Sequence, residues 1–294
     1  MKHTSVRKAI LLASGVIAAI TLTSCAPGSS EPSAETSTSE SDIALPSSLS
    51  ETGVIRVATS FSYAPFTYRD ESDNPAGFEI ELAEAIAEEL GVEIEYSEIA
   101  FASIIPSIET GRVDIGMNQL TDTAERQESV DFVDYFRLTY QVLVNEELDG
   151  ITLDEVCGLN FGVTQGSTQI PIIQGMSDDC VADGEEAMTI SEYPDTAQTL
   201  LAIASGQAEA FLSNPVTGLY YESTPDKHLV RVPGEVSGYS ALAGIALPKG
   251  DTELAAAIQE ALDRMVASGV YQEILDEYGA PDNGLTEFTI NAGE

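Results

Sequence analysis

Five segments in the first half of the chain determine its architecture: VIRVA (54–58), FEIELAEAIAEEL (78–90), VEIEYSEI (92–99), FASIIPSIET (101–110) and VDIGMNQL (113–120). Short β-rich runs here alternate with helical stretches. In the second segment, apolar residues recur every four positions opposite a face of glutamates, which predicts an amphipathic helix that stops at Gly91. This alternation predicts α/β units with largely parallel sheets.

Two more helices are predicted near the C-terminus. Asp251 can cap the first, whose apolar face is formed by Leu254, Ile258, Leu262 and Met265. The second carries Val270, Ile274 and Tyr278 before Gly279. We interpret these stripes as faces that pack on a core.

A weak internal repeat predicts two lobes. IETGRVDI (108–115) and IASGQAEA (203–210) both read as a helix end, a glycine, and an acidic residue before an apolar strand. The two strands would end near Asn118-Gln119 and near Ser213-Asn214. Because ligands of open α/β sheets bind beyond the carboxyl ends of strands, two such ends facing each other would form a cleft.

Composition excludes several classes of function. The chain has 12 Lys and Arg against 49 Asp and Glu, a net charge of −37, which argues against binding to nucleic acid. Its 43% hydrophobic content indicates a folded protein with an acidic surface. With 2 His and 3 Cys, a multi-ligand zinc site is not expected, and we predict no metal and no cofactor.

The N-terminus is typical of an exported protein. Three cations precede the apolar run at 9–22, which is too short to span a bilayer but suits an export signal. Leu22-Thr23-Ser24-Cys25 then resembles a bacterial lipobox. This predicts a signal peptide over 1–24 and a lipidated Cys25 that anchors the protein to the outer face of the cell membrane. The alternative is an ordinary signal peptide with a chance cysteine.

Residues 25–50 are predicted to form a disordered tether behind the lipidated cysteine, since they are rich in Ser, Thr, Glu and Pro. The remaining cysteines, Cys157 and Cys180, are even in number and would lie outside the cytoplasm, where disulfides persist. Closing this loop would contribute roughly 3 kcal/mol in the chain-entropy model. Two free buried thiols are the alternative.

Much of the chain resembles the family 3 solute-binding proteins of ABC importers, the receptors for polar amino acids. The likeness runs through segments at 53–68, 77–91, 101–136, 161–169 and 247–279. Its most specific part is TDTAER (121–126) followed by VDF (130–132). The resemblance implies a type II periplasmic-binding fold, with one lobe from 51–143 plus 244–294, a second from 144–243, and hinge crossings near 142–146 and 238–245.

The resemblance also implies how a solute is held. Arg126 would clasp its α-carboxylate, helped by Thr121 from the same lobe and by Thr168 from the other. A planar guanidinium suits this task, although a structural salt bridge is the commoner fate of an arginine. Tyr63 and Phe101 match the aromatic walls around the ligand, and core packing is the alternative for both.

Some residues depart from the family pattern. Asn214 stands where the family commonly has an aspartate that pairs with the α-ammonium, so either another acid compensates or the ligand lacks a free ammonium. Asn118 and Gln119 replace smaller residues, while Glu79 and Glu81 replace aspartates and are interpreted as structural. The predicted ligand-binding residues are Ser60, Tyr63, Phe101, Asn118, Gln119, Thr121, Arg126, Thr164, Gln165, Ser167, Thr168 and Asn214.

The leading functional hypothesis is a monomeric, lipid-anchored receptor that binds a small amino-acid-like solute without catalysis. Its partners would be an ABC permease and the associated ATPase. Two alternatives remain on the same fold: a dehydratase acting on cyclohexadienyl acids such as arogenate, and a ligand-sensing module. Against catalysis, no GxSxG, P-loop or HExxH pattern occurs, and His228 is the only histidine after the export signal.

Overall fold

The computed structural model describes residues 42–224 and 228–294. The predicted signal peptide, the lipidation site at Cys25 and the tether up to residue 41 lie outside these residues. Within the described ranges, no helix combines the length and the apolar character that crossing a bilayer requires.

The described residues form short strands joined by helices and turns. The strands are β1 (Val54–Thr59), β2 (Ser62–Tyr63), β3 (Thr67–Arg69), β4 (Pro75–Ala76), β5 (Glu93–Glu98), β6 (Ile115–Gly116), β7 (Val130–Thr139), β8 (Gln141–Asn145), β9 (Asn160–Thr164), β10 (Thr189–Tyr193), β11 (Ala210–Ser213), β12 (Leu229–Arg231) and β13 (Ser240–Pro248).

The α-helices lie mainly between consecutive strands. They are α1 (Ser47–Thr52), α2 (Phe78–Leu90), α3 (Ile104–Glu109), α4 (Ala124–Gln127), α5 (Gln169–Asp183), α6 (Thr196–Ala204), α7 (Pro215–Ser223), α8 (Thr252–Ser268) and α9 (Val270–Glu277). Helix α2 has the predicted bounds and ends at Gly91 in the left-handed conformation, with φ 68°. The side chain of Asp251 caps α8 by accepting a hydrogen bond from the Leu254 N–H, as predicted.

The strands form two main sheets, each the centre of a lobe. The first lobe has the strand order β5-β1-β6-β13-β7 and the second has β10-β9-β11-β8-β12. In the first, β5, β1 and β6 are parallel, while β13 runs antiparallel to β6 and β7. In the second, β10, β9 and β11 are parallel, while β8 runs antiparallel to β11 and β12. The prediction of largely parallel sheets therefore holds for three adjacent strands of the five in each sheet.

The predicted repeat is confirmed in detail. Gly111 and Gly206 both end a helix in the left-handed conformation, with φ of 68° and 72°. The strand that follows, β6 or β11, is the middle strand of its sheet. The acidic residue of each repeat accepts a backbone N–H from the neighbouring strand: Asp114 from Arg56 at 2.8 Å, and Glu209 from Asn160 at 2.9 Å. The two lobes thus share one supersecondary unit.

Both crossings between the lobes lie earlier in the chain than predicted. β7 ends at Thr139 and β8 begins at Gln141, so the first crossing is at Tyr140, before the expected 142–146. The second crossing lies between β12 and β13, in residues 232–239. The cause is the long pairing of β13 with β7, from Ser240↔Thr139 to Pro248↔Val130, which places 240–243 in the first sheet. The predicted boundary assigned those four residues to the second lobe.

The last part of the predicted tether is ordered. Residues 47–52 form α1, and the side chains of Ile43 and Leu49 are 5% and 1% exposed. Asp42 also pairs with Arg264 at 2.5 Å. The prediction of disorder up to residue 50 is therefore wrong for residues 42–50. Burial of Ile43 and Leu49, together with the left-handed Gly53 that ends α1, orders this segment despite its polar composition.

Cys157 and Cys180 form the predicted disulfide, with an S–S distance of 2.00 Å. The bond joins the loop before β9 to the C-terminal half of α5. Cys180 belongs to the core of the second lobe, which includes Phe161 and Ile173. The bond therefore links α5 covalently to the loop that leads into β9, within the second lobe.

Candidate functional site

A cavity of about 60 Å³ lies between the two lobes, where the carboxyl ends of β6, β9 and β11 meet. Nine of the predicted residues line it: Tyr63, Phe101, Asn118, Gln119, Thr121, Thr164, Ser167, Thr168 and Asn214. Leu138, Tyr140, Gln169, Thr196 and Ser213 complete the lining. Every one of these side chains is aromatic, aliphatic, hydroxyl or amide.

Asn118, two residues after β6, is held in one orientation by its neighbours. Its Oδ1 accepts hydrogen bonds from the hydroxyls of Thr59 at 3.0 Å, Ser60 at 2.8 Å and Thr67 at 3.2 Å, and from the Ser60 N–H at 2.8 Å. Ser60 is thereby buried behind Asn118 and is absent from the residues that line the cavity. With its oxygen fully used, Asn118 has only its Nδ2 group left to offer as a donor.

Gln119 occupies a left-handed backbone conformation with φ 50°. The buried carboxylate of Glu79 accepts the Gln119 N–H at 2.8 and 3.0 Å and the Tyr135 hydroxyl at 2.5 Å. Burial raises the pKa of Glu79 to about 7, while these two hydrogen bonds oppose the rise. This role agrees with the structural interpretation of Glu79. Gln119 lines the cavity; its Nε2 donates to the Tyr135 hydroxyl at 3.4 Å, and its buried Oε1 has no hydrogen-bond partner among the described residues.

Arg126 lies on the single turn α4, which is capped by the Thr123 hydroxyl. Its guanidinium donates to the carbonyl of Thr121 at 2.9 Å and to the carbonyl of Gly166, in the other lobe, at 3.0 Å. The Arg126 Cζ lies 5.6 Å from the centroid of the Phe101 ring. Burial lowers the pKa of Arg126 to about 10, so the group stays charged at neutral pH.

Arg126 lines a second, more open cavity of about 520 Å³ beside the first. The two cavities share Thr121, Tyr140, Ser167 and Thr168, which form the wall between them. The guanidinium is thus at the rim of the inner cavity rather than among the residues that line it. Gln165 is exposed and lines neither cavity.

Several hydrogen bonds join the lobes directly. The hydroxyls of Thr121 and Thr168 are 3.0 Å apart. The Tyr63 hydroxyl accepts hydrogen bonds from Asn214 Nδ2 at 3.1 Å and from the Thr217 hydroxyl at 3.2 Å. Burial raises the pKa of Tyr63 to about 12. The lobes are therefore closed upon one another in this structure.

Asn214 is the N-cap of α7, because its Oδ1 accepts the Thr217 N–H at 3.0 Å. Both ends of its amide are thus occupied, one by the helix and the other by Tyr63. The preceding residue, Ser213, ends β11 and also lines the cavity. Sequence reasoning named the Ser213-Asn214 pair as a strand end but selected only Asn214 for the site.

The other residues that sequence reasoning missed also follow from the topology. Thr196 is the first residue of α6, and Gln169 opens α5 and donates its Nε2 to the Leu212 carbonyl at 2.7 Å. A search for polar residues at the starts of the helices of the second lobe would have found both. Tyr140 occupies the first crossing between the lobes, so its place in the site depends on where β7 stops. Because the crossing was predicted too late in the chain, Tyr140 was missed.

Known proteins resemble this chain over both lobes. The model of a family described as bacterial extracellular solute-binding proteins, family 3, matches residues 55–281. The arginine-binding protein ArgT of Corynebacterium glutamicum is 29% identical over 252 residues, which cover 84% of this chain and 81% of the relative.

Solved structures show the same likeness. An ancestral arginine-binding protein bound to arginine has a TM-score of 0.68 and 30% identity, covering 77% of this chain and 98% of that one. An ancestral amino-acid-binding protein described as a precursor of cyclohexadienyl dehydratase has a TM-score of 0.66 and 28% identity, covering 79% of this chain and 97% of that one. These likenesses confirm the predicted type II periplasmic-binding fold, with two α/β lobes joined by two crossing strands.

Proposed function

The chain belongs to the bacterial extracellular solute-binding proteins of family 3, and we propose that it binds an amino acid or an amino-acid-like small carboxylate between its lobes. The observation that carries this proposal is the position of Arg126. Its guanidinium reaches both lobes, with one donor on the Thr121 carbonyl and another on the Gly166 carbonyl. A carboxylate at this point would meet a cation that is already at the junction of the two lobes.

The groups around Arg126 suit a small acid. The hydroxyls of Thr121 and Thr168 face each other across the cleft, and Ser167 has a buried Oγ without a partner among the described residues. Hydroxyl donors beside a guanidinium are favourable for a carboxylate oxygen. The rings of Tyr63 and Phe101 add apolar surface for the rest of the solute.

Binding would be coupled to closure of the lobes. A solute that touches Arg126 and Thr121 on one side and Thr168 on the other makes its full set of contacts only in the closed form. It therefore shifts the population toward that form. The crossings at Tyr140 and at residues 232–239 are the segments that would act as hinges.

We further propose that a lipidated Cys25 anchors the receptor to the outer face of the cell membrane. From there it would deliver its solute to an ABC permease with its ATPase. The family is extracellular by description, and the sequence before residue 26 has the pattern of a lipoprotein export signal. A net charge of −37 favours a monomer, because copies of the chain repel one another.

A dehydratase is the alternative, since one structural neighbour is described as a precursor of such an enzyme. Dehydration requires an acid beside the leaving hydroxyl. Among the described residues that line the inner cavity there is no Asp, Glu or His. His228 is bonded to Glu146 at 2.7 Å and lines none of the cavities near Arg126. We therefore propose binding without catalysis.

One experiment tests the proposal as a whole. The protein is purified gently, and mass spectrometry identifies any small molecule released on denaturation. A thermal-shift screen with amino acids, opines and small organic acids runs in parallel. We expect at least one carboxylate to be recovered and to raise the melting temperature. Turnover of prephenate or arogenate would instead support the dehydratase.

A further inference from the structure

The cleft between the lobes has a positive charge at its rim and no charged side chain among the described residues that line its inner cavity. The described residues that line the inner cavity are all uncharged, and the only cation at its rim is Arg126. Arg126 forms no ion pair with any described residue, and its polar contacts are two carbonyl oxygens. Glu125 and Glu294 line the outer cavity but are absent from the inner lining. The inner cavity therefore complements negative charge.

A primary ammonium would need acceptors, and two of the four amide oxygens in the cavity lining are committed elsewhere. Asn214 uses its Oδ1 to cap α7, and Asn118 uses its Oδ1 for four donors. The buried Oε1 of Gln119 has no partner among the described residues, and Gln169, bonded through its Nε2, likewise accepts no hydrogen bond at its Oε1 from a described residue. Two neutral amide acceptors with some hydroxyls do not replace the hydration of a three-donor cation.

Two buried acids, Glu79 and Asp122, stand beside the cavity lining, and neither changes this balance. Asp122 accepts the side-chain amide of Gln127 at 2.8 Å and the Gly293 N–H at 2.7 Å, and it lines neither cavity. The carboxylate of Glu79 lies behind Gln119, is 0% exposed, and is occupied by the Gln119 N–H and the Tyr135 hydroxyl. It does not line the inner cavity. A ligand ammonium in the cavity would therefore have no carboxylate in contact with it.

From this arrangement we infer that the solute has a carboxylate but no free α-ammonium and no cationic side group. Suitable classes are 2-hydroxy acids and acids whose nitrogen is acylated. Their hydroxyl or amide N–H needs one acceptor, which the side-chain oxygen of Gln119 or Gln169 would supply. This inference rests on the proposed function and narrows it. It also separates the chain from its relatives that are described as arginine-binding.

The test uses matched pairs of probes on the full folded chain, by isothermal titration calorimetry. The pairs are L-phenylalanine with L-phenyllactate, L-leucine with L-2-hydroxyisocaproate, and L-glutamine with N-acetyl-L-glutamine, and L-arginine is added alone. In every pair that binds, we expect the member without an ammonium to bind at least about tenfold more tightly. L-Arginine should not bind measurably.

Two variants should reverse the predicted preference for solutes without an ammonium group. Ser213→Asp places a carboxylate at a strand end that lines the cavity, and Asn214→Asp places one at the next residue, where aspartate still caps α7. Each should weaken the hydroxy or acylated acid and strengthen the parent amino acid. Gln207→Glu is the control, because Gln207 is exposed and the variant adds the same charge before β11, at its opposite end. Circular dichroism and the melting temperature show which variants are folded.

The outcomes are distinct. Tighter binding of the parent amino acids or of L-arginine by the wild-type chain would overturn this inference and leave the proposed receptor intact. Unchanged preference in both folded aspartate variants would overturn it as well. If no carboxylate of either series bound to the folded wild-type chain, the proposed function would fail and this inference with it.

Discussion

The hydroxyl of Tyr63 in the first lobe accepts a hydrogen bond from Asn214 Nδ2 in the second lobe at 3.1 Å. The same hydroxyl accepts a hydrogen bond from the Thr217 hydroxyl at 3.2 Å, so Tyr63 accepts from two side chains at the start of α7. Tyr63 packs on Phe66, with ring centroids 5.4 Å apart, and this contact fixes its position on the first lobe. The pair Tyr63 and Asn214 therefore acts as a clasp between the lobes.

Tyr63→Phe removes the clasp and keeps the ring. Because the lost hydrogen bonds exist only when the lobes are closed, the variant should bind the solute roughly two- to tenfold more weakly. Tyr220→Phe on α7 is the control, since the Tyr220 hydroxyl forms no hydrogen bond with a described residue. Calorimetry on both variants measures the difference. Equal affinity for the wild type and Tyr63→Phe would show that the clasp does not contribute to binding.

The disulfide should stabilise the second lobe without affecting binding. Replacing Cys157 and Cys180 by alanine is expected to lower the free energy of unfolding by about 3 kcal/mol, from the loop that the bond closes. Cys180 lies about 16 Å along α5 from Gln169 at the cleft, so solute affinity should stay the same. Urea denaturation and calorimetry measure the two quantities. Peptide mapping without reductant provides the control, and two free thiols there would contradict the assignment.

Glu79 should make stability depend on pH. Burial raises its pKa to about 7 in the folded state, against 4.5 for the free side chain. Below about pH 4.5 both states hold the proton, and stability is lost as the pH rises toward 7 because only the unfolded state releases it readily. Glu79→Gln should remove on the order of 1–3 kcal/mol of this loss.

Denaturation of the wild type and of Glu79→Gln between pH 5 and pH 8 measures this effect. The variant should show a smaller decline and not a flat line, because the pKa of the buried Asp134 is also raised to about 7 by burial. Parallel pH profiles for the two proteins would show that Glu79 is ionised at low cost in the folded chain.

The local elements were predictable because they depend on residues close in sequence. The bounds of α2 follow from its apolar spacing and from Gly91. The shared unit of the two lobes follows from a glycine and an acidic residue at matching positions, although the backbone N–H that each acid accepts was not evident. That partner lies on a neighbouring strand, 58 residues away for Asp114 and 49 for Glu209.

The sequence predicted which residues belong to the site better than it predicted the contacts that they make. Nine of twelve predicted residues line the inner cavity, because the motifs of the family resemblance locate them. The orientation of Asn214 was not predictable, since it depends on Tyr63 from the other lobe. The position of Arg126 at the rim likewise depends on the Gly166 carbonyl, which approaches only when the lobes meet. The position of Ser60 behind Asn118 was not predictable either, because it depends on a hydrogen bond between residues that are 58 positions apart in sequence.

The most direct test of the receptor is the affinity of Arg126→Ala for the carboxylate that gives the wild type its largest thermal shift. Arg112→Ala is the matched control, because Arg112 is exposed in the turn between α3 and β6 and lines neither cavity near Arg126. We predict that Arg126→Ala folds but binds at least about a hundredfold more weakly, while Arg112→Ala binds normally. Wild-type affinity in a folded Arg126→Ala protein would contradict the account.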